Sequence, residues 1–124
     1  MNKEFIPYEQ ALALKELGFD EPCFAWFILE GDGAKSRLVL EKCPKQDLGL
    51  CLAPLYQQAF RWFREKGLYY DIKMFGDLDK PQYSYIVLSR IENPAKMYYY
   101  EDKDSYEEAE LACLNKLIQI IKTK

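Results

Sequence analysis

The sequence predicts an α+β fold, and three observations carry that prediction. Three helix openings share one short word. Tyr and β-branched runs broken by Gly, Pro and Asp turns lie between them. Aromatic residues make up 15% of the chain, with ten Tyr and seven Phe, a composition common where half-exposed sheets are built. The expected order is α-β-β-α-β-β-β-α. It reads as a mainly antiparallel sheet with helices largely on one face, in a single compact domain over residues 1–124.

The first helix follows Pro7, which suits the first helical position because its missing N–H is not needed there. Ala11, Leu14 and Leu17 give it an apolar side. Gly18 then offers a left-handed cap over which Phe19 can fold back. "CFAWFILE" (23–30) and "SRLVLE" (36–41) read as two strands joined by a turn at "GDGAK" (31–35). "KCPKQDLGLC" (42–51) reads as a long loop rather than a domain boundary.

The second helix is expected from Pro54 through "LYQQAFRWFREK" to Gly67, with Leu55, Ala59 and Phe63 and either Phe60 or Trp62 as its apolar stripe. Three strands should follow. "LYYDIKMF" (68–75) alternates, setting Tyr70, Ile72 and Met74 opposite Tyr69, Asp71, Lys73 and Phe75. "YSYIVLSR" (83–90) is the longest β run and belongs inside the sheet. "MYYYED" (97–102) is the last strand, after a turn that holds Pro94. In the final helix Ser105 is a strong N-cap and Glu108 stands at capping-box spacing.

The shared word is "YEQA" from Tyr8, "YQQA" from Tyr56 and "YEEA" from Tyr106. Its chemistry is that of a helix start. The acids favour the positive helix end, and the Ala is small enough for close packing on a sheet. Three helices built alike explain it better than a duplicated unit, because the intervening segments differ in strand number.

Composition bounds the function. The net charge of -3 gives no strong attraction to nucleic acid or anionic membrane. No apolar run approaches a membrane span. The opening "MNKEFIPYEQ" lacks the apolar stretch of a signal peptide, so a cytoplasmic protein is expected. The chain has four Cys and no His. Without a C-x-x-C pair, Cys23, Cys43, Cys51 and Cys113 are expected as free, mostly buried thiols, and no metal or other cofactor is expected.

No catalytic residue stands out, and no enzyme is expected. "GDGAKS" lacks the Gly-Lys-Ser order and the following helix of a phosphate loop. Asp77 and Asp79 read as turn formers rather than cation ligands. With no His there is no Ser-His or Cys-His dyad. A small-ligand binder or an enzyme built on carboxylates and Tyr is the third reading, and converging acids in a deep pocket would mark it.

The Tyr residues of the last three strands are the candidate interaction surface: Tyr69, Tyr83, Tyr85, Tyr98, Tyr99 and Tyr100. An exposed Tyr face could stack nucleotide bases or sugars, or bind a protein partner or a second copy; the alternative is that these rings pack across strands and beneath loops. The leading expectation is therefore a non-enzymatic interaction module, acting through an aromatic surface or by self-association.

Residues 54–121, read as α-β-β-β-α with a Ser-capped last helix, are similar in topology to the double-stranded-RNA-binding domain. That family places Lys at the start of the last helix, over the RNA phosphates. Here the stretch is "EDKDSYEEAE", with six acids against one Lys and a net charge of -5. None of the family's RNA-binding residues is carried over, and duplex RNA is not an expected partner. The runner-up reading is still a nucleic-acid-associated module of that topology. A continuous basic groove through Arg61, Arg64, Lys66, Lys73 and Arg90 would favour it.

"FIPYEQALALKELGFDEPCFAWF", "APLYQQAFRWFREKGLY" and "SYEEAELACLNKLI" together resemble a family of small proteins from Bacteroides-type bacteria and their prophages. That resemblance implies a small cytosolic protein of mobile-element origin. It assigns no catalytic or binding residue.

Overall fold

A computed structural model describes residues 2–30, 35–41 and 51–123. The turn expected at 31–35 and the loop expected at 42–51 fall largely outside these residues, as does Cys43. The fold is α+β: three helices and two three-stranded antiparallel sheets in the order α-β-β-β-α-β-β-β-α. Where one sheet was expected there are two. The chain divides into two compact units, Met1–Ala59 and Phe60–Lys124.

In the first unit, α1 (Tyr8–Glu16) precedes β1 (Trp26–Glu30), β2 (Lys35–Val39) and β3 (Cys51–Leu52). β1 lies between β2 and β3 and pairs antiparallel with both. The expected β1–β2 hairpin is present. β3 was not expected, because two residues at the end of a Pro- and Gly-bearing stretch carry no periodicity.

The end of α1 is a Schellman motif. Gly18 has φ +102°, its N–H donates to the Lys15 carbonyl at 3.1 Å, and Phe19 N–H donates to Leu14 at 2.9 Å. Glycine takes that φ without the Cβ penalty, and Phe19 is buried beneath the turn.

Helix α2 (Tyr56–Glu65) begins two residues after Pro54, later than expected. The Pro54 carbonyl is occupied instead by the N–H of Ile6 at 3.0 Å. Pro7 is likewise an N-cap, with ψ 161°, rather than the first helical residue. A ring-fixed φ near −65° suits both places, so proline alone leaves the boundary one or two residues open.

The shared word sits alike in all three helices. Tyr8, Tyr56 and Tyr106 are each the first helical residue. Ala11, Ala59 and Ala109 each donate the N–H that closes the first turn, to Pro7, Leu55 and Ser105, at 2.9, 3.0 and 3.1 Å. All three Ala side chains are buried.

The second unit holds β4 (Leu68–Gly76), β5 (Pro81–Ser89), β6 (Lys96–Lys103) and α3 (Tyr106–Lys122). β5 is central, as its long β run suggests, and all pairing is antiparallel. The β4–β5 turn closes with Lys80 N–H donating to Asp77 at 3.1 Å. α3 packs on all three strands and buries Ala109, Cys113, Leu114, Leu117, Ile118 and Ile120. No helix among the described residues is long and apolar enough to cross a membrane.

Ser105 caps α3 as expected, its hydroxyl accepting the Glu108 N–H at 3.1 Å. The Glu108 carboxylate reaches one residue further back than in a capping box, accepting from Asp104 N–H at 3.2 Å. Ser105→Ala is expected to cost about 1 kcal/mol, read as a lower urea midpoint. An unchanged midpoint would contradict the cap.

Candidate functional site

Strand alternation and register give the second sheet two distinct faces. On one face Tyr70, Ile72 and Met74 of β4 align with Val87, Tyr85 and Tyr83 of β5. Tyr98 and Tyr100 of β6 stand beside Val87 and Tyr85. α3 lies over this face. Tyr83 meets Tyr106 edge-on at 6.1 Å, and Tyr85 stacks on Tyr100 at 4.9 Å. The Lys116 ammonium sits 4.3 Å from the Tyr98 ring centre and 5.8 Å from that of Tyr100. The Tyr98 hydroxyl donates to Glu92 at 3.0 Å. Burial pushes the Tyr85 phenol up to about 12. Tyr83, Tyr85 and Tyr98 pack between the sheet and its helix, while Tyr100, on the same side, stacks on Tyr85 and stays 38% exposed.

The other face carries Tyr69, Asp71, Lys73 and Phe75 of β4. Register sets Tyr69 across from Leu88 and Met97, and Asp71 across from Ile86 and Tyr99. Its large side chains are in solvent: Tyr69 is 36% exposed, Tyr99 54% and Met97 66%. Leu88 and Ile86 lie half-buried between them. The Tyr99 hydroxyl bonds the Glu101 carboxylate, which with partial burial raises its pKa, while a bond with Ser84 lowers it.

Of the six candidate tyrosines, therefore, the structure brings Tyr69 and Tyr99 to the open face. It sets Tyr83, Tyr85, Tyr98 and Tyr100 on the covered one. Met97, Ile86 and Leu88 join the open face and were missed. Strand pairing carries the signal for them, since each stands across from Tyr69 or Asp71, whose face the β4 alternation already separates.

A bulge ends the regular part of this surface. Register slips between the pairs Tyr85–Tyr100 and Tyr83–Lys103, and Asp102 takes φ 76° there. Asp tolerates the left-handed region better than most residues, so the acid run suits the bulge. Beyond it Glu101, Asp102, Asp104, Glu107 and Glu108 are all exposed. The open face thus combines an apolar and aromatic row with the exposed Asp71–Lys73 pair, and has an acidic border at its β6 end.

Lys73 does not share a face with Arg61, Arg64 and Lys66. Phe60 stacks on Tyr70 on the covered side, and Arg61, Arg64 and Lys66 follow it closely in the chain. Lys73 stands on the opposite face, paired with Asp71 at 3.7 Å.

One titratable cluster was not anticipated. Glu110 on α3 is half-buried, and burial, aided by the nearby Glu107 charge, pushes its carboxyl up to about 7. The phenols of Tyr70 and Tyr106 and the thiol of Cys113 all feel the Glu110 charge. A carboxyl titrating near neutrality can exchange protons at physiological pH. Its neighbours add no nucleophile, because burial and Glu110 hold the Cys113 thiol at about 12. Helical spacing carries the missed signal. Glu110 lies four residues after Tyr106 and three before Cys113, inside the apolar stripe.

Cys23, Cys51 and Cys113 are buried, as expected. Cys51 is pushed to about 11, chiefly by burial, against the pull of Lys15.

Comparison with known proteins finds no matching family model, no matching curated protein and no matching solved structure.

Proposed function

We propose that the protein is a non-enzymatic interaction module that docks a protein partner on the open face of the β4-β5-β6 sheet. The observation that carries this reading is the row Tyr69–Leu88–Met97 beside Tyr99, with its two tyrosines and its methionine in solvent. Aromatic residues and Met are the types enriched where proteins meet. The acidic border favours a partner whose own apolar patch is flanked by Lys or Arg. A cytoplasmic location is part of the same proposal.

Tyr99→Ser combined with Met97→Ser tests it. Both side chains are exposed, so the variant should fold. A protein captured from the native host by the wild type and lost with the double variant supports the reading. Equal capture by both, or none by either, contradicts it.

A nucleic-acid role on double-stranded-RNA-binding topology finds support in the α-β-β-β-α order of α2 to α3. Charge opposes it, since acids border the start of α3 where phosphates would lie. Non-specific duplex binding depends on Lys and Arg neutralising phosphates. Duplex RNA should therefore bind more weakly than the roughly 10⁻⁴ to 10⁻⁶ M typical of non-specific binders. An anisotropy titration showing micromolar affinity that falls steeply with salt would reverse the order of the two readings.

A further inference from the structure

Among the described residues β4 is an edge strand, with β5 its only bonded neighbour in the sheet. It keeps register with β5 over all nine residues without a bulge, and it contains no proline. The opposite edge, β6, is guarded by the bulge at Asp102 and by Lys96 and Lys103 at its ends. Long regular edges invite pairing with another chain, and proteins ordinarily blunt them with charge, proline or bulges. β4 has only one acid and one base, and their arrangement attracts rather than repels a second β4.

Asp71 and Lys73 flank Ile72 symmetrically. Outward from Ile72 the next pairs are Tyr70 with Met74, then Tyr69 with Phe75, then Leu68 with Gly76. The strand is self-complementary about its centre.

We propose that β4 pairs antiparallel with β4 of a second copy of this chain, across a two-fold axis at Ile72. Asp71 then stands opposite Lys73 of the partner subunit, and the two-fold repeats that pair. Tyr69 stands opposite Phe75 of the partner subunit, and Tyr70 opposite Met74 of the partner subunit. These are the opposite-charge, aromatic and sulfur–aromatic pairs that stabilise neighbouring strands. The side chains are available for it, with Lys73 66% and Asp71 55% exposed. Two three-stranded sheets become one of six strands, the β4 edge disappears, and the two open faces run together. The inference goes beyond the docking reading, because it rests on strand register and charge order rather than on the apolar face.

Sedimentation equilibrium of the full chain, with three variants, tests it. The wild type should sediment as twice the 14.7 kDa chain. D71K and K73D each place like charges across the axis twice, and should weaken the dimer on the order of tenfold or more. The exchange D71K/K73D restores both pairs and should restore the dimer, which separates lost pairing from lost folding. A wild type that stays monomeric overturns the proposal and leaves the open-face reading standing. A dimer indifferent to D71K, or one that D71K/K73D fails to restore, overturns it too.

Discussion

Phe60→Ala is expected to lower stability by about 3–5 kcal/mol, the cost of emptying a buried aromatic site. Phe60 is 1% exposed and lies flat on Tyr70, with ring centres 3.9 Å apart and planes 17° from parallel. Truncation removes the buried area and the ring pair together, and the sheet has no small shift that refills the space. Phe60→Leu keeps most of the volume and should cost far less. Tyr99→Ala, on the open face, should stay within about 0.5 kcal/mol of wild type. Urea midpoints of the three variants check this. A Phe60→Ala loss no larger than that of Tyr99→Ala would mean that Phe60 is not part of the core.

Glu110 should contribute a loss of stability as pH rises from about 4.5 toward 7. Its folded pKa of about 7 lies above its ordinary value of 4.5. The folded state thus binds the proton more tightly than the unfolded state does. Below both values the carboxyl is neutral in each state and costs nothing. Between them folding holds a proton that unfolding releases, so stability declines. Above 7 the penalty is complete. The full shift would correspond to roughly 3 kcal/mol. Because the group is only partly buried, solvent screening reduces this to about 1–2 kcal/mol. Glu110→Gln should remove this contribution and raise stability at pH 8 by about 1 kcal/mol. The chain has no His, so no imidazole titrates in the same range. A melting temperature in which wild type and Glu110→Gln differ equally at pH 4 and pH 8 would contradict this assignment.

Local chemistry made much of the fold legible. The Tyr-acid-acid-Ala word, with Gln replacing one acid in α1 and both in α2, puts Tyr at the first helical position three times. Gly18 ends α1, and Ser105 begins α3. β5 shows itself as the central strand by its long run of β formers. The missing pieces depend on distant pairing. β3 exists because Cys51 and Leu52 meet Phe27 and Trp26, and two residues carry no period of their own. That the strands form two sheets, not one, is likewise a matter of which edges meet.

The candidate surface was legible only in part. The β4 alternation separates Tyr69 from Tyr70 correctly. Three consecutive tyrosines at 98–100 must alternate, but sequence alone does not say which of them faces the helix. That choice follows from register with β5 and from where α3 lies, which sends Tyr99 outward and Tyr98 and Tyr100 inward. Glu110 was overlooked because an acid in the first turns of a helix reads as favourable to the dipole. Its position in the apolar stripe outweighs that effect.

The central claim is that this protein works by presenting Tyr99 and its neighbours to another protein. A photo-crosslinking phenylalanine at position 99, expressed in the native host, tests it most directly. The same probe at position 78 is the control, since Leu78 is 95% exposed on the β4–β5 turn and lies off the face. The account predicts a discrete protein adduct from position 99 and none from position 78. Adducts only to nucleic acid, or the same adducts from both positions, would contradict it.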